Sequence, residues 1–210
     1  MAATTLTIIS LPTRLSSLVG EEVGNFAGRR LGTVKDLVVD LANGRVRYAI
    51  LDTRSKTVPV PFHALELSLE DEHLLLDASP QRLAKAPART DGVDAYWDGP
   101  ALPRLARASE LIGRAFQDSE GKRAGKLVDV VIDAHEGNVA FAVISLAHNT
   151  LHPVPLNAFA AGEELRFTLR TTALNAARHL SPAELNAGLE RDEFLRENAA
   201  YADRLSLSRS

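Results

Sequence analysis

The 210-residue chain contains no cysteine, so the sequence excludes a disulfide framework and any chemistry that depends on a thiolate. It also has no surplus of basic charge, because 24 lysines and arginines stand against 27 aspartates and glutamates, for a formal charge of -3. Nucleic-acid-binding proteins usually carry a basic surplus. The charge balance therefore makes nucleic acid a less favoured partner than protein.

Long apolar runs are also missing, since no stretch approaches the roughly eighteen residues that a membrane-spanning helix needs. The N-terminal stretch MAATTLTIISLPTRLSSLVG has only short apolar runs and no basic region before them, unlike a signal peptide. We expect a soluble, cytoplasmic protein without a transmembrane segment. Contact with a membrane would be peripheral, at the cytoplasmic face, or through a partner.

Catalytic signatures are absent as well. The sequence has no G-x-S-x-G, no phosphate-binding loop, no dinucleotide fingerprint and no H-E-x-x-H. We therefore expect no enzyme, no cofactor and no metal. Small-ligand binding or catalysis at a cleft between domains, from residues that meet only in space, is the least favoured alternative.

The strongest pattern in the chain is an internal repeat. GTVKDLVVDLANGRVRYAILD at 32–52 returns 93 positions later as GKLVDVVIDAHEGNVAFAVIS at 125–145, and PVPFHAL at 59–65 returns as PVPLNAF at 153–159. Four glycines occupy matched positions, which indicates matched backbone geometry. The matched glycines are Gly20/Gly113, Gly28/Gly121, Gly32/Gly125 and Gly44/Gly137.

Each copy consists of short segments dense in valine, isoleucine and leucine, separated by Gly/Asn/Asp turns, which is typical of all-β structure. The sequence predicts a mainly β fold with two small barrels in tandem, short helices and a C-terminal α-helix, and each copy is expected to fold as a barrel of its own. The predicted segments are an N-terminal extension over 1–17, barrels over 18–86 and 108–178, a linker over 87–107, and the helix with its tail over 179–210.

The ordered set of a Gly-rich turn, the D-x-V-x-D strand, the hairpin and the Pro-x-Pro strand resembles the PRC-barrel domain, and it occurs twice. That family includes the cytoplasmic domain of the photosynthetic reaction-centre H subunit and the C-terminal domain of the ribosome maturation factor RimM. The resemblance implies a fold and a docking role in prokaryotic cells. It names no reaction.

The repeated aspartates, Asp36 with Asp40 and Asp129 with Asp133, are not expected to form a metal or acid/base site. Residues four apart on a strand lie about 13 Å from each other, too far for two carboxylates to share one ion. We expect Asp40 and Asp133 to cap turn amides, and we interpret the repetition of the aspartates as a consequence of the repeated turns.

Two other groups of side chains are candidate sites. The stretch HNTLH places His148 and His152 four apart, and we expect it to be a solvated loop rather than a metal site. The basic turns of the two copies either bind phosphates of lipid or RNA, or are ordinary solvated charge. These turns contain Arg29, Arg30, Lys122 and Arg123.

Aromatic side chains outside the repeats are candidate partner contacts. Tyr96 and Trp97 lie in the predicted linker, where they either anchor a partner or pack on their own barrels. The predicted C-terminal helix carries two apolar stripes. We expect the stripe of Phe194, Tyr201 and Leu205 to mediate homo-oligomer formation or docking, with a clamp between the barrels as the alternative.

Taken with the resemblance, these features predict a non-enzymatic binding or assembly module with a protein partner. The favoured partner is a photosynthetic reaction centre or another membrane complex, on which the chain would be a soluble accessory or H-subunit-like component. The alternative is a ribosome- or RNA-associated maturation factor.

Overall fold

The computed structural model of the chain describes residues 12–68, 73–86, 105–146, 150–161 and 167–169. These residues form fourteen short strands and three short α-helices, so the predicted mainly β fold with two small barrels is confirmed. The C-terminal helix predicted over 179–210 lies outside the described residues.

Barrel 1 is a curled sheet that contains six strands of the first repeat. In chain order the strands are β2 Glu22–Gly24, β3 Arg30–Asp40, β4 Arg45–Asp52, β5 Thr57–Pro61, β6 Leu65–Leu67 and β7 Leu74–Leu76. They are ordered β5-β4-β3-β2-β7-β6, with β2 and β7 parallel and the other neighbours antiparallel. The outermost strands β5 and β6 are consecutive in the chain and are joined by one 3-10 turn at Phe62–Ala64, so the sheet has to curl.

Barrel 2 repeats this arrangement strand for strand. Its own strands are β9 Ala115–Gln117, β10 Arg123–Asp133, β11 Val139–Ser145, β12 Leu151–Val154, β13 Phe159–Ala161 and β14 Phe167–Leu169. Their order is β12-β11-β10-β9-β14-β13, and a 3-10 turn at Leu156–Ala158 joins β12 to β13. The sequence repeat is therefore a repeat of topology.

A short helix, α2 at Pro80–Lys85, follows the last strand of barrel 1. Ser79 caps it, because the Ser79 hydroxyl accepts a hydrogen bond from the Arg82 N–H at 3.1 Å, and Pro80 occupies the first helical position. α2 is one of the short helices that the sequence predicts beside the barrels.

The seventh strand of each sheet comes from the other repeat. Arm 1, residues 12–18, contains β1 Pro12–Arg14 and α1 Leu15–Leu18, and β1 pairs antiparallel with the end of β10 in barrel 2. Arm 2, residues 105–111, contains β8 Leu105–Arg107 and α3 Ala108–Leu111, and β8 pairs antiparallel with the end of β3 in barrel 1. Each helix packs on the strand that its arm joins.

Each sheet therefore contains one strand from the other repeat, which the expectation that each copy folds as a barrel of its own did not include. The segment predicted as a linker over 87–107 ends in strand β8, and the segment predicted as an N-terminal extension over 1–17 contains β1 and most of α1. The reason is that β2 pairs only with the first part of β3, at 30–33, and leaves the edge at 38–40 for another strand.

The turns at the ends of the two long hairpins also contact each other. The Val46 N–H donates to the Gly137 carbonyl at 2.8 Å, and the Val139 N–H donates to the Gly44 carbonyl at 2.7 Å. Gly44 and Gly137 have φ of 61° and 73°, which glycine adopts without strain. A Cβ on Gly137 would stand 2.7 Å from the Phe62 ring of barrel 1. The two hairpins thus approach each other at their glycines.

One continuous hydrophobic core results from these contacts. A single cluster of buried side chains includes Leu15 and Leu18 of arm 1, Ala108 and Leu111 of arm 2, and the interior side chains of both barrels. Because each arm contributes buried residues to a core that the other repeat surrounds, the described part of the chain is one folding unit.

This exchange predicts how the protein responds to a cut between the repeats. With a specific protease site inserted near residue 95, the cleaved chain should still elute as one particle of unchanged mass, because each fragment supplies a strand to the other. The fragments should separate only in denaturant. Two independently folded fragments that elute apart under native conditions would contradict the exchange.

Candidate functional site

The sequence-predicted candidates divide into those that the structure describes and those that it does not. Lys122, Arg123, Arg29 and Arg30 are described and exposed. The other candidates lie outside the described residues, and their roles stay predictions. They are Tyr96, Trp97, Phe194, Tyr201 and Leu205.

Asp36 is a buried carboxylate on β3 that holds arm 2. Its Oδ1 accepts hydrogen bonds from the Ser109 N–H at 3.2 Å and from the Leu37 N–H at 2.9 Å. Its Oδ2 accepts from the Ser109 hydroxyl at 2.6 Å. The carboxylate therefore binds the start of α3 at two points, across 73 residues of sequence.

Asp129 does the same for arm 1. Its Oδ1 accepts from the Ser16 N–H at 3.2 Å and from the Val130 N–H at 2.8 Å, and its Oδ2 accepts from the Ser16 hydroxyl. The interpretation that the aspartates repeat only because the turns repeat is thus wrong for this pair. Asp36 and Asp129 lie on strands and bind the exchanged arms.

Sequence reasoning missed the two serines that these aspartates bind. A signal for them was present, because the shift of 93 also superposes Arg14 on Arg107 and Ser16 on Ser109, upstream of the region recognised as repeated. The identity of those residues indicates that the arms belong to the repeat.

Asp40 caps the turn amides as predicted, and it also forms an ion pair. Its Oδ1 accepts from the backbone N–H groups of Ala42 and Asn43, and its Oδ2 accepts from the Asn43 amide at 2.7 Å and pairs with Arg47 at 2.9 Å. Burial acts to raise the pKa of Asp40, but the hydrogen bonds from Asn43 and Arg47 outweigh it and lower that pKa below its ordinary value.

Asp133, the counterpart of Asp40, keeps only the turn role. Its Oδ1 accepts from the His135 N–H at 2.9 Å, and Ala140 stands at the position that corresponds to Arg47. The prediction that both aspartates cap turn amides is confirmed. The ion pair belongs to barrel 1 alone.

The two basic turns share one backbone geometry. In barrel 1 the Asn25 side-chain oxygen accepts from the N–H groups of Ala27 and Arg29, and the Gly28 N–H donates to the Asn25 carbonyl. In barrel 2 the Asp118 carboxylate accepts from the N–H groups two and four residues later, and the corresponding glycine N–H donates to the Asp118 carbonyl. Both turns are stabilised by hydrogen bonds among their own residues, so their side chains are attached to a well-bonded backbone.

The side chains on these turns differ between the barrels. Barrel 1 has Phe26, 57% exposed, where barrel 2 has Ser119. Residues 25–30 carry two positive charges and no negative charge, whereas residues 118–123 carry two of each. A cleft of about 390 Å³ opens beside the barrel 1 turn and is lined by Arg29, Arg30 and Arg54, with the hydroxyl-bearing residues of the next turn.

The prediction that HNTLH is a solvated loop is wrong for His152. This residue lies on β12 with 3% of its surface exposed, and its Nε2 is 3.2 Å from the Thr150 hydroxyl. It is buried because β12 pairs with β11, where Ile144 is its partner. His148 lies outside the described residues.

Two kinds of feature are absent from the described residues. These residues contain no group of three His, Cys, Asp or Glu side chains placed to hold a metal ion. Among the same residues, no helix has the length and apolar character required to cross a bilayer.

The sequence model of one protein family, the PRC-barrel domain, matches the chain twice, at residues 13–83 and 103–164. Both matches begin inside or just before an arm, so each includes the exchanged strand that precedes its barrel. No curated protein matches the chain.

We expect Asp36→Ala to loosen arm 2, although that arm lies 73 residues away in sequence. Loss of the carboxylate leaves the start of α3 without its acceptor, which should cost about 1–3 kcal/mol of unfolding free energy. Amide hydrogen exchange should accelerate at 105–111 in this variant, and at 12–18 in the matched Asp129→Ala variant. Uniform acceleration in both variants would contradict the assignment of one aspartate to each arm.

We expect Asp40 to make stability dependent on pH. Its folded-state pKa is depressed, so its contribution is present above the unfolded-state pKa and is lost as the pH falls through the folded-state value. At neutral pH, Asp40→Ala should cost about 1–3 kcal/mol and Asp133→Ala about 1 kcal/mol. The difference between wild type and Asp40→Ala should shrink between about pH 5 and pH 2, as measured by chemical denaturation. A difference that stays constant with pH would contradict this account of Asp40.

Proposed function

Since this chain belongs to the PRC-barrel family, we propose that it is a non-catalytic module that docks on a larger protein complex. PRC-barrel domains are generally binding modules that mediate protein interactions. The resemblance therefore supports a binding role, and the partner has to be inferred from the surface.

The proposal rests on the hydrogen bonds and the ion pair that the buried polar groups form. Asp36 and Asp129 bind the arms, and Asp40 binds a turn and Arg47. The Ser145 hydroxyl donates to a neighbouring carbonyl. Two of the three buried carboxylates among the described residues, Asp36 and Asp129, therefore join the repeats, and the third, Asp40, stabilises a turn. This structural use of buried carboxylates favours a scaffold over a catalyst.

The favoured partner is a membrane complex in a prokaryotic cell, on whose cytoplasmic face the chain would be a soluble accessory. A role like that of the reaction-centre H subunit in photosynthesis is the specific form of this proposal. The charge distribution supports it over a ribosome- or RNA-associated role, because the chain is acidic overall and only one of the two turns has a basic surplus.

The partner contacts proposed from sequence alone are the aromatic pair Tyr96 and Trp97 and the stripe of Phe194, Tyr201 and Leu205. An apolar stripe of this kind either docks on the complex or joins two copies of the chain. In both cases another apolar surface should bury the stripe, because burial of each large side chain stabilises the contact by roughly 1.5–3 kcal/mol.

The proposal predicts that the chain co-migrates with a large membrane complex. The test is native electrophoresis of mildly solubilised membranes from cells that express a tagged chain. Phe194→Asp/Tyr201→Asp should abolish co-migration, because the charges cannot be buried in an apolar contact. The control Asn186→Asp, which lies off this stripe of the predicted helix, should leave co-migration intact.

Three outcomes would contradict parts of this proposal. A double variant that keeps its partners but melts much lower would assign the stripe to the protein's own core. Co-sedimentation with ribosomal particles, lost steeply with salt, would favour the ribosomal role. A chain that migrates free in every fraction would contradict docking.

A further inference from the structure

The turn of barrel 1 has a composition that protein docking alone does not explain. We define the basic tip as residues 25–30 with the adjoining Arg54. We infer that the basic tip binds the surface of an anionic lipid bilayer, with the arginines on lipid phosphates and Phe26 in the interfacial layer. This goes beyond the proposed function, because it requires no protein partner.

The first step of the argument is that the tip is preorganised. Besides the bonds within the turn, the Asn25 amide donates to the Ala78 carbonyl at 3.2 Å, which ties the turn to the segment before α2. The Asn25 N–H donates to the Arg29 carbonyl at 2.9 Å. Phe26 is therefore exposed on a well-bonded turn, and binding would order little backbone.

The second step concerns the arginines. Arg30 forms an ion pair with Glu22 at 3.2 Å, but both side chains are largely exposed, so the pair is screened by water. Within the described part of the chain, no ion pair involves Arg29 or Arg54. The three arginines border one cleft of about 390 Å³, and guanidinium groups bind phosphate through paired N–H donors.

The third step concerns Phe26, whose exposed ring favours a bilayer over other anionic surfaces as the binding partner. Among the described residues, only Phe26 and Val19 are large hydrophobic side chains with high exposure. A large apolar side chain on the same turn as two arginines suits the membrane interface, where headgroup phosphates lie above the acyl chains. A nucleic-acid surface would require a longer basic track than one turn.

Barrel 2 supplies a matched control within the same molecule. Its turn at 118–123 has the same hydrogen bonds but carries Ser119 and Glu120 in place of Phe26 and Ala27, and its charges cancel. The backbone of the tip is therefore a property of the fold, and only the barrel 1 turn carries the side chains that the inference requires.

The test is co-sedimentation of the full chain with vesicles of phosphatidylcholine alone or with roughly one third phosphatidylglycerol. Binding should require the anionic lipid and weaken with salt. Each of Arg29→Ala and Arg54→Ala should weaken binding about fivefold, and Phe26→Ser about tenfold. Lys122→Ala/Arg123→Ala should bind like wild type. All of these positions are exposed, so melting temperatures should not change.

The following outcomes would overturn the inference: no binding to anionic vesicles, equal binding to both kinds of vesicle, or a loss confined to the barrel 2 variant. Binding of single-stranded RNA through the same residues, without vesicle binding, would reassign the tip to nucleic acid. None of these results bears on co-migration with a membrane complex through Phe194 and Tyr201, so a failure here and a failure of the proposed function are distinguishable.

Discussion

The long strands β3 and β10 impose the constraint on which the rest of the structure depends. Each has eleven residues. On one side, its neighbour within the same repeat, β2 or β9, has three residues and covers only the first part of the long strand. The uncovered part carries backbone N–H and C=O groups that need partners, and its side chains are almost all buried. The exchanged arms satisfy this requirement, and Asp36 and Asp129 fix the helix that follows each arm.

The consequence of this exchange is that neither repeat is complete alone. The chain joins two barrels by reciprocal strands, by hydrogen bonds between hairpin tips and by one shared core. The folding free energy of each barrel then depends on residues of the other, so global unfolding should involve both barrels together. Such a unit presents two separate turns on one body.

Local features of this fold could be predicted from the sequence, whereas the exchange could not. Hairpins, turns and the capped helix α2 arise from neighbouring residues such as Ser79 and Pro80, so short patterns reveal them. The arms are alike in sequence, with Arg14 matching Arg107 and Ser16 matching Ser109. The sequence of the arms therefore does not reveal which barrel each one joins. For the candidate site, the charges of the basic turns were visible in the sequence, but the exposure of Phe26 was not.

The comparison of the two repeats separates structural residues from candidate functional ones. Several positions that join the barrels are the same in both copies, as Asp36 and Asp129 are, because the same hydrogen bonds must form twice. The turn tips share a backbone and yet differ, with Phe26 in one and Ser119 in the other. Folding does not require this difference, since the serine turn has the same hydrogen bonds. Phe26, which the turn does not need for its fold, is therefore the side chain on which the proposed contact of the basic tip with a bilayer depends.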